Sequence, residues 1–432
     1  MSLKGSVIMP KETILHEVEE KEERVVLVAV DADNSDDDTE KCLDELEELA
    51  KTAGAVTVGR VVQKRERIHP GFYVGTGKLE EIKTMINAFD ATGIICDDEL
   101  SPAQIRNMEE ALQTKIMDRT MVILDIFAAR ATSREGKIQV ELAQLKYRLS
   151  RLTGIGASMS RLGGGIGTRG PGEKKLETDR RYIKERIAEL KGDLEEIRTH
   201  RSLLRSRREQ KGMPVVSLVG YTNAGKSTIL NSLTDAGVLE EDKLFATLDT
   251  TTRNVTLPGG SNIYLTDTVG FIQKLSHHLV EAFKATLEEL KFADILLHVI
   301  DSSDQNREKH MDVVYSTLKD LGCGEKPVIT VFNKMDKEVE FPLPEDRICT
   351  DKINICAKDS ESLEKLLLKI EEVLKSFRKS MKVLIPYSEG HLLAVVHGKC
   401  EIISEEHTAD GTLIEAYMND EAMGRLEKYK VE

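Results

Sequence analysis

The chain opens with two hydrophobic periods that alternate as far as about Val122. Arg24-Val-Val-Leu-Val-Ala-Val30, Val56-Thr-Val-Gly-Arg-Val-Val62 and Thr92-Gly-Ile-Ile-Cys96 are short apolar runs bounded by polar residues, the pattern of buried strands. Between them, Asp38 to Lys51 places Cys42, Leu43, Leu46, Leu49 and Ala50 on one helical stripe, and Leu79 to Phe89 and Pro102 to Leu112 repeat that period. The alternation predicts βα units forming a small parallel sheet. A different spacing follows, in which Ile138, Leu142, Leu145, Leu149 and Leu152 form one seam and Ile183, Ile187, Leu190, Leu194, Ile197 and Leu204 form a second. Two heptad seams in succession predict an antiparallel helical hairpin. Apolar runs return at Pro214-Val-Val-Ser-Leu-Val219, Asn262-Ile-Tyr-Leu-Thr266, Asp294-Ile-Leu-Leu-His-Val-Ile-Asp301 and Val328-Ile-Thr-Val-Phe332, and predict the strands of a second sheet. Lys382-Val-Leu-Ile-Pro386 and a hairpin turning at Ala409-Asp-Gly411 close the chain.

These patterns divide the chain into an N-terminal α/β domain (1–130), a helical hairpin with a glycine-rich loop (131–212), an α/β core (213–377) and a small α+β domain (378–432). A length of 432 residues gives each part enough chain for a core of its own. The last unit carries no catalytic constellation and reads as an accessory packing or docking module.

Charge changes this picture in one place. The whole chain carries −14, yet Arg130 to Gly212 holds 21 Lys and Arg against 11 Asp and Glu, a local +10 that leaves −24 on the remainder. A basic segment inside an acidic protein suits a localised contact with a phosphate backbone, and a solvated helical surface is the alternative. Gly154 to Gly172 has glycine at 154, 156, 163, 164, 165, 167, 170 and 172, broken by Arg161 and Arg169. Such a stretch buries no core and reads as a linker or as a loop that moulds onto RNA. Beyond it, Arg198-Thr-His-Arg-Ser-Leu-Leu-Arg-Ser-Arg-Arg208 makes a basic face leading into the core. Six scattered cysteines without a C-x-x-C pair argue against a zinc site or a disulfide framework, and point to a reducing cytoplasm. No apolar run approaches a membrane span and the N-terminus lacks a signal-peptide core, so a soluble, monomeric, cytoplasmic protein is expected, with no indication of peripheral membrane association.

The chemistry sits in the third unit. Gly220, Tyr221, Thr222, Asn223, Ala224, Gly225, Lys226, Ser227 and Thr228 spell the phosphate-loop pattern G-x4-G-K-[ST] after a strand. Gly220 and Gly225 permit the tight curl that points amide N–H groups at a phosphate, and the following helix adds its positive end. Lys226 suits the β- and γ-phosphates, and the Ser227 hydroxyl suits Mg²⁺. Asp267-Thr268-Val269-Gly270 supplies a carboxylate for the metal through water, with the Gly270 amide placed to sense the γ-phosphate. Asn333-Lys334-Met335-Asp336 follows a strand, where open α/β sheets bind ligands, and its carboxylate matches the N1–H and N2–H₂ edge of guanine. Asn333 ties this segment to the phosphate loop, Lys334 lies along the base, and in Cys356-Ala357-Lys358 the Ala357 amide is expected to meet guanine O6. The four motifs in this order describe a guanine-nucleotide switch binding GTP and GDP, a P-loop GTPase core of parallel sheet flanked by helices.

Phe271 occupies the position after the D-x-x-G motif where many such switches carry a water-orienting glutamine. An aromatic ring cannot orient water, so slow intrinsic turnover is expected. His277 and His278 lie near in sequence and read as exposed residues of a helix. Gly75-Thr-Gly-Lys78 lacks the first glycine of a phosphate loop at the required spacing and reads as a helix-start turn, with nucleotide binding there the lesser alternative.

Almost the whole chain resembles the HflX-type GTPases. The resemblance is carried by Tyr73-Val-Gly-Thr-Gly-Lys78, Asp97-Asp-Glu-Leu-Ser-Pro-Ala-Gln104, Asp125-Ile-Phe-Ala-Ala-Arg-Ala-Thr-Ser-Arg-Glu-Gly136, Arg161-Leu-Gly-Gly-Gly-Ile-Gly-Thr-Arg-Gly-Pro-Gly-Glu173 and Leu244-Phe245-Ala246-Thr247-Leu248-Asp249, with Phe271 in place of glutamine. Cys356 stands where serine is usual, and Thr250 where proline is usual. The resemblance implies a Mg²⁺-dependent GTPase that associates with the large ribosomal subunit, through rRNA and ribosomal proteins, in ribosome splitting, stalled-ribosome rescue or assembly. A GTP-dependent protein-binding switch without a ribosomal partner is the alternative. Chemistry alone leaves Thr247, Thr250, Thr251 and Thr252 open as the switch hydroxyl, and the family pattern selects Thr247. It makes Ser227, Thr247 and Asp267 the metal ligands, Lys226, Thr247, Gly270 and Phe271 the catalytic set, and Phe245 to Asp249 part of the nucleotide site.

Overall fold

A computed structural model describes residues 22–32, 38–159, 171–209, 213–234, 244–274, 279, 287–339, 342–377, 380–399, 401–417 and 420–431. Strand β1 (Glu23–Ala32) lies inside the first sheet because Val25, Val26, Leu27 and Val28 are fully buried, on both faces. It pairs in parallel with β2 (Ala55–Arg65) and β3 (Gly93–Cys96), and β4 (Lys115–Asp118) completes the order β2-β1-β3-β4. Helices α1 (Thr39–Thr52), α2 (Thr76–Phe89) and α3 (Pro102–Leu112) follow the predicted stripes. A capping box between Ser101 and Gln104 starts α3, and Gly75 is the N-cap of α2, which makes Gly75-Thr-Gly-Lys78 a helix-start turn. Helix α4 (Arg119–Arg130), with Asp118 accepting at 2.9 Å from the Met121 amide, is not announced by any period. Val122, Ile123, Leu124, Ile126 and Phe127 are all buried, so the helix shows little of a polar face that would mark its repeat.

Helices α5 (Arg134–Met159) and α6 (Pro171–Glu209) form the antiparallel hairpin. Ile138, Leu142, Ile187 and Leu190 make its buried seam, flanked by Leu145, Leu149, Ile183, Leu194 and Ile197. The Arg186 guanidinium bridges the two helices, donating at 2.8 and 3.1 Å to the Glu141 carboxylate. The glycine-rich loop is shorter than its composition suggests: α5 runs on through Gly154 and Gly156, and α6 starts at Pro171, a residue suited to a first helical turn. Residues 160–170, with Arg161 and Arg169, lie outside the described residues. Nor is the basic end of α6 left wholly to solvent. Arg198 pairs with Glu288 at 3.6 Å, and Arg201 pairs with Glu289 at 3.2 Å and Glu135 at 2.9 Å.

The core sheet contains β5 (Val215–Gly220), β6 (Thr251–Thr256), β7 (Asn262–Asp267), β8 (Ile295–Asp301), β9 (Val328–Asn333) and β10 (Asp351–Asn354) in the order β10-β9-β8-β5-β7-β6. Only the β6–β7 pair is antiparallel. Helices α7 (Lys226–Leu233), α8 (Arg307–Asp320) and α9 (Ser360–Phe377) pack on it. The last unit is a three-stranded antiparallel sheet, β11 (Ser380–Ile385), β13 (Gly411–Tyr417) and β12 (Glu401–Thr408) in that order. Among the described residues no helix is long and apolar enough to cross a membrane.

One hydrophobic cluster is continuous from the first unit into the core, joining Leu43, Ile123 and Phe127 to Tyr221, Phe245 and Phe271. Beside it runs a ring of polar contacts. Arg119, 2 % exposed, pairs with Glu45 of α1 and, at 2.7 Å, with Asp97 after β3. Asp97 also pairs with Lys274 of the core, which reaches Asp98 at 3.1 Å. Glu45 accepts the hydroxyl of Tyr221, and the Tyr221 oxygen accepts at 2.8 Å from the Gln273 amide, next to Lys274. The circuit Tyr221–Glu45–Arg119–Asp97–Lys274–Gln273 thus closes on itself across the boundary. Removing one member of a buried charge pair strands the others, at about 3–5 kcal/mol. Arg119→Met is expected to lower the thermal unfolding midpoint markedly, and an unchanged midpoint would show that the ring contributes no stability.

Candidate functional site

The carboxyl ends of β5, β7, β8 and β9 bring Gly220, Asp267, Asp301 and Asn333 to one edge of the sheet. Gly225 takes φ +97°, and a Cβ there would sit 2.3 Å from the Asn333 Nδ2. Only glycine tolerates both conditions. That closeness lets Asn333 work with both ends of its amide: Nδ2 donates to the Ala224 carbonyl at 2.9 Å and Oδ1 accepts from the Ala357 amide at 3.0 Å. Three of the four predicted segments therefore hang on one buried side chain. Lys226 is buried at the start of α7, donating to the carbonyls of Gly220 and Tyr221 at 3.1 and 2.7 Å, and burial pulls its pKa down to about 8. Thr228 is half-buried on the same first turn, and Asn223 is exposed at the loop's tip with φ 60°.

Ser227, Thr247 and Asp267 converge. The Ser227 hydroxyl lies 2.7 Å from the Thr247 hydroxyl and 2.7 Å from Asp267 Oδ2. Asp267 is fully buried; burial raises its pKa against the opposing pull of Lys226, and its Oδ1 has no hydrogen-bond partner among the described residues. Three hard oxygen donors with one spare buried carboxylate oxygen fit a magnesium ion. No cluster of three or more His, Cys, Asp or Glu that could hold a metal occurs among the described residues.

The base-reading segment is more open than its chemistry suggests. Asp336 is exposed, and a hydrogen bond from the Cys356 thiol at 3.3 Å holds its carboxyl below the usual range. Lys334, at φ 63°, pairs with Asp301 at 2.7 Å, while Met335 and Lys358 are exposed. The expectation for Ala357 needs correction, since its amide is spent on Asn333.

The segment 244–249 divides by side. Thr247 faces Ser227, but Phe245 (φ 56°) packs edge-on against Phe127 of α4, ring centroids 4.7 Å apart, and Leu248 is buried. Asp249 accepts from the Thr132 amide at 3.1 Å, the Thr132 hydroxyl at 2.8 Å, the Ser133 amide at 2.8 Å and the Ser133 hydroxyl. Burial pushes its pKa up, but these bonds outweigh it and hold the carboxyl below the ordinary range. The assignment of Phe245, Leu248 and Asp249 to the nucleotide is corrected for their side chains, which anchor the segment to the α4–α5 junction; Ala246 is half-buried between them.

Thr268 donates to the Leu218 carbonyl at 2.7 Å, and Val269 is buried. A Cβ on Gly270 would lie 2.8 Å from Thr222 and 3.0 Å from the Lys226 ammonium, so this glycine touches the phosphate loop directly. Phe271 is corrected too. Its ring is buried with only 3 % exposure, and its backbone bridges to the loop, N–H to Gly220 O at 3.1 Å and C=O from the Thr222 amide at 2.8 Å. So placed, the ring anchors the loop to the core. His277 and His278 lie outside the described residues. Sequence reasoning passes over the bridging role of Tyr221, whose ring also stacks on His310 at 3.7 Å and 7°. An aromatic side chain inside a phosphate loop is the one signal that points to it.

Residues 40–128 match the family described as GTP-binding GTPase N-terminal, 130–208 the GTP-binding GTPase middle region, and 215–334 the 50S ribosome-binding GTPase. A GTPase HflX of Lacrimispora saccharolytica is 56% identical over 414 residues, 96% of this chain and 98% of its own. A GTPase HflX of Caldanaerobacter subterraneus subsp. tengcongensis is 48% identical over 415 residues, 96% of this chain and 95% of its own. Among solved structures, the crystal structure of a GTP-binding protein from Sulfolobus solfataricus in complex with GDP is 25% identical, covers 82% of this chain and 99% of its own, and gives a TM-score of 0.44.

Two measurements check the corrected assignments. Phe271→Ala removes a buried ring at about 3–5 kcal/mol, so the unfolding midpoint should fall sharply; an intact midpoint with lost turnover would return Phe271 to the chemistry. Asp249→Asn should speed amide exchange across residues 244–250 about ten-fold, roughly 1–2 kcal/mol of lost hydrogen bonding, with GDP affinity unchanged. Weakened GDP binding with unaltered exchange would place the carboxylate on the nucleotide after all.

Proposed function

This chain belongs to the family of HflX GTPases, and on that premise we propose that it is a Mg²⁺-dependent switch that binds the large ribosomal subunit and acts in ribosome splitting, stalled-ribosome rescue or subunit assembly. The hydrolysis of GTP is the activity of the family. Ser227, Thr247 and Asp267 would hold the magnesium ion, which when bound neutralises charge on the β- and γ-phosphate oxygens. Lys226 and the amides at the start of α7 receive the phosphates, Gly270 meets the γ-phosphate beside Lys226, and Asp336 takes the guanine edge while Asn333 keeps loop and base segment in register. The observation that carries the switch is the meeting of Ser227, Thr247 and Asp267 from three separate segments.

The ribosomal part rests on the 50S ribosome-binding family over 215–334 and on the hairpin surface. On α6, Tyr182 is 68 % exposed between Arg181 and Lys184, both exposed, an arrangement suited to stacking on a base beside phosphate contacts. The domain limits 1–130, 131–212, 213–377 and 378–432 are part of this reading, as is a cytoplasmic compartment, consistent with free thiols at Cys42, Cys96, Cys323, Cys349 and Cys356. The second reading, a protein-binding switch, draws on Arg198 and Arg201, which are already matched by Glu288 and Glu289. GTP turnover with and without purified large subunits, across a salt series, separates them. Strong stimulation that fades with salt is expected; no stimulation at any salt would favour the protein partner.

A further inference from the structure

With Phe271 buried as an anchor, the glutamine's place holds no group that orients water, and among the described residues Thr222 offers one. It sits third in the phosphate loop, only 7 % exposed, and its Oγ1 has no hydrogen-bond partner among the described residues. An unpaired buried hydroxyl is destabilising, which invites a functional explanation. Its position is fixed by the backbone bridge to Phe271, 2.8 Å from the Thr222 amide to the Phe271 carbonyl. The Thr222 methyl is the branch against Gly270, a Cβ on which would also touch the Lys226 ammonium at 3.0 Å. The hydroxyl hangs on the same Cβ, one rotamer step from that corner.

We propose that the Thr222 hydroxyl is a further catalytic group for GTP hydrolysis, bonding the attacking water or the γ-phosphate oxygen beside it in the role a glutamine fills elsewhere. The inference rests on the GTPase reading of the preceding subsection. In the step, the water oxygen bonds to the γ-phosphorus, the bond from that phosphorus to the bridging oxygen breaks with its electron pair leaving on GDP, and the water protons pass to phosphate and solvent. Thr222 stays neutral throughout: it accepts from the water or donates to the phosphoryl oxygen, and gives up no proton of its own.

The test compares Thr222→Val, which keeps the shape and removes the hydroxyl, with Thr222→Ser, which keeps the hydroxyl. Single-turnover GTP hydrolysis, GDP affinity and the unfolding midpoint are measured on the full chain. Thr222→Val should lower the rate by about 10², as loss of one transition-state hydrogen bond does, with GDP affinity held within about three-fold and the midpoint equal or higher, since an unpaired buried hydroxyl has become a methyl. Thr222→Ser should recover most of the rate. Wild-type hydrolysis by Thr222→Val overturns the proposal, as does a loss of GDP affinity large enough to account for the rate. Failure of the unsubstituted chain to bind guanine nucleotide would overturn the GTPase reading itself, a separate result.

Discussion

A guanidinium cannot be taken out of water without carboxylates to meet it, and Arg119 is taken out almost completely. That constraint organises the molecule. Glu45 on α1 and Asp97 just after β3 are drawn to Arg119, and each carries its remaining lone pairs across the boundary, to Tyr221 and Lys274. The first unit thereby grips the core at the phosphate loop and just beyond Gly270, the places where a nucleotide-dependent change would be felt. The Asp97 and Asp98 carboxylates hold the Lys274 ammonium well above its ordinary pKa despite its burial, so the contact stays charged through the neutral range.

A second grip involves no buried cation. At the α4–α5 junction, Thr132 and Ser133 present two amides and two hydroxyls to Asp249, in the manner of a helix start binding an anion. Gly136 is part of the arrangement, because a Cβ there would lie 2.4 Å from Asp249 Oδ1. Both segments expected to respond to the γ-phosphate are therefore attached to chain that precedes the core. Ser133 and Glu135 are nearly adjacent, and Glu135 pairs with Arg201 near the other end of the hairpin's chain, so the attachment of Asp249 and the packing of α6 share one short stretch of backbone.

What the sequence reveals here is what local pattern encodes. The nucleotide motifs are legible because each is a contiguous string at the end of an apolar run, and the hairpin is legible because its seam repeats. Helix α4 is not, since its exposed stripe, Asp125, Ala128 and Ala129, is mostly alanine and gives little polar face to mark its period. The contacts of Arg119 with Glu45 and of Asp249 with Thr132 join residues far apart in the chain, and no short window contains both partners. Phe271 shows a subtler limit: a missing glutamine can be read from one position, but that the aromatic ring turns into the core and leaves the backbone to bridge the loop depends on the buried cluster it shares with the first unit. Ala357 is similar, its amide claimed by a side chain that sequence reasoning had assigned to the phosphate loop alone.

The proportions of the hairpin give the Asp249 attachment a mechanical meaning. Helix α6 has 39 residues and α5 has 26, so at about 1.5 Å per residue they extend roughly 58 and 39 Å. The end of α5 beside Thr132 and Ser133 meets Asp249, and further along the same helix Tyr147 and Arg151 bond Asp118 at the end of β4. About 26 Å of α5 is therefore clamped to the first unit, and only the length beyond Arg151 overhangs it. A shift at Asp249 is thus passed first into the first unit, and the two-helix seam carries onward only what that unit does not absorb.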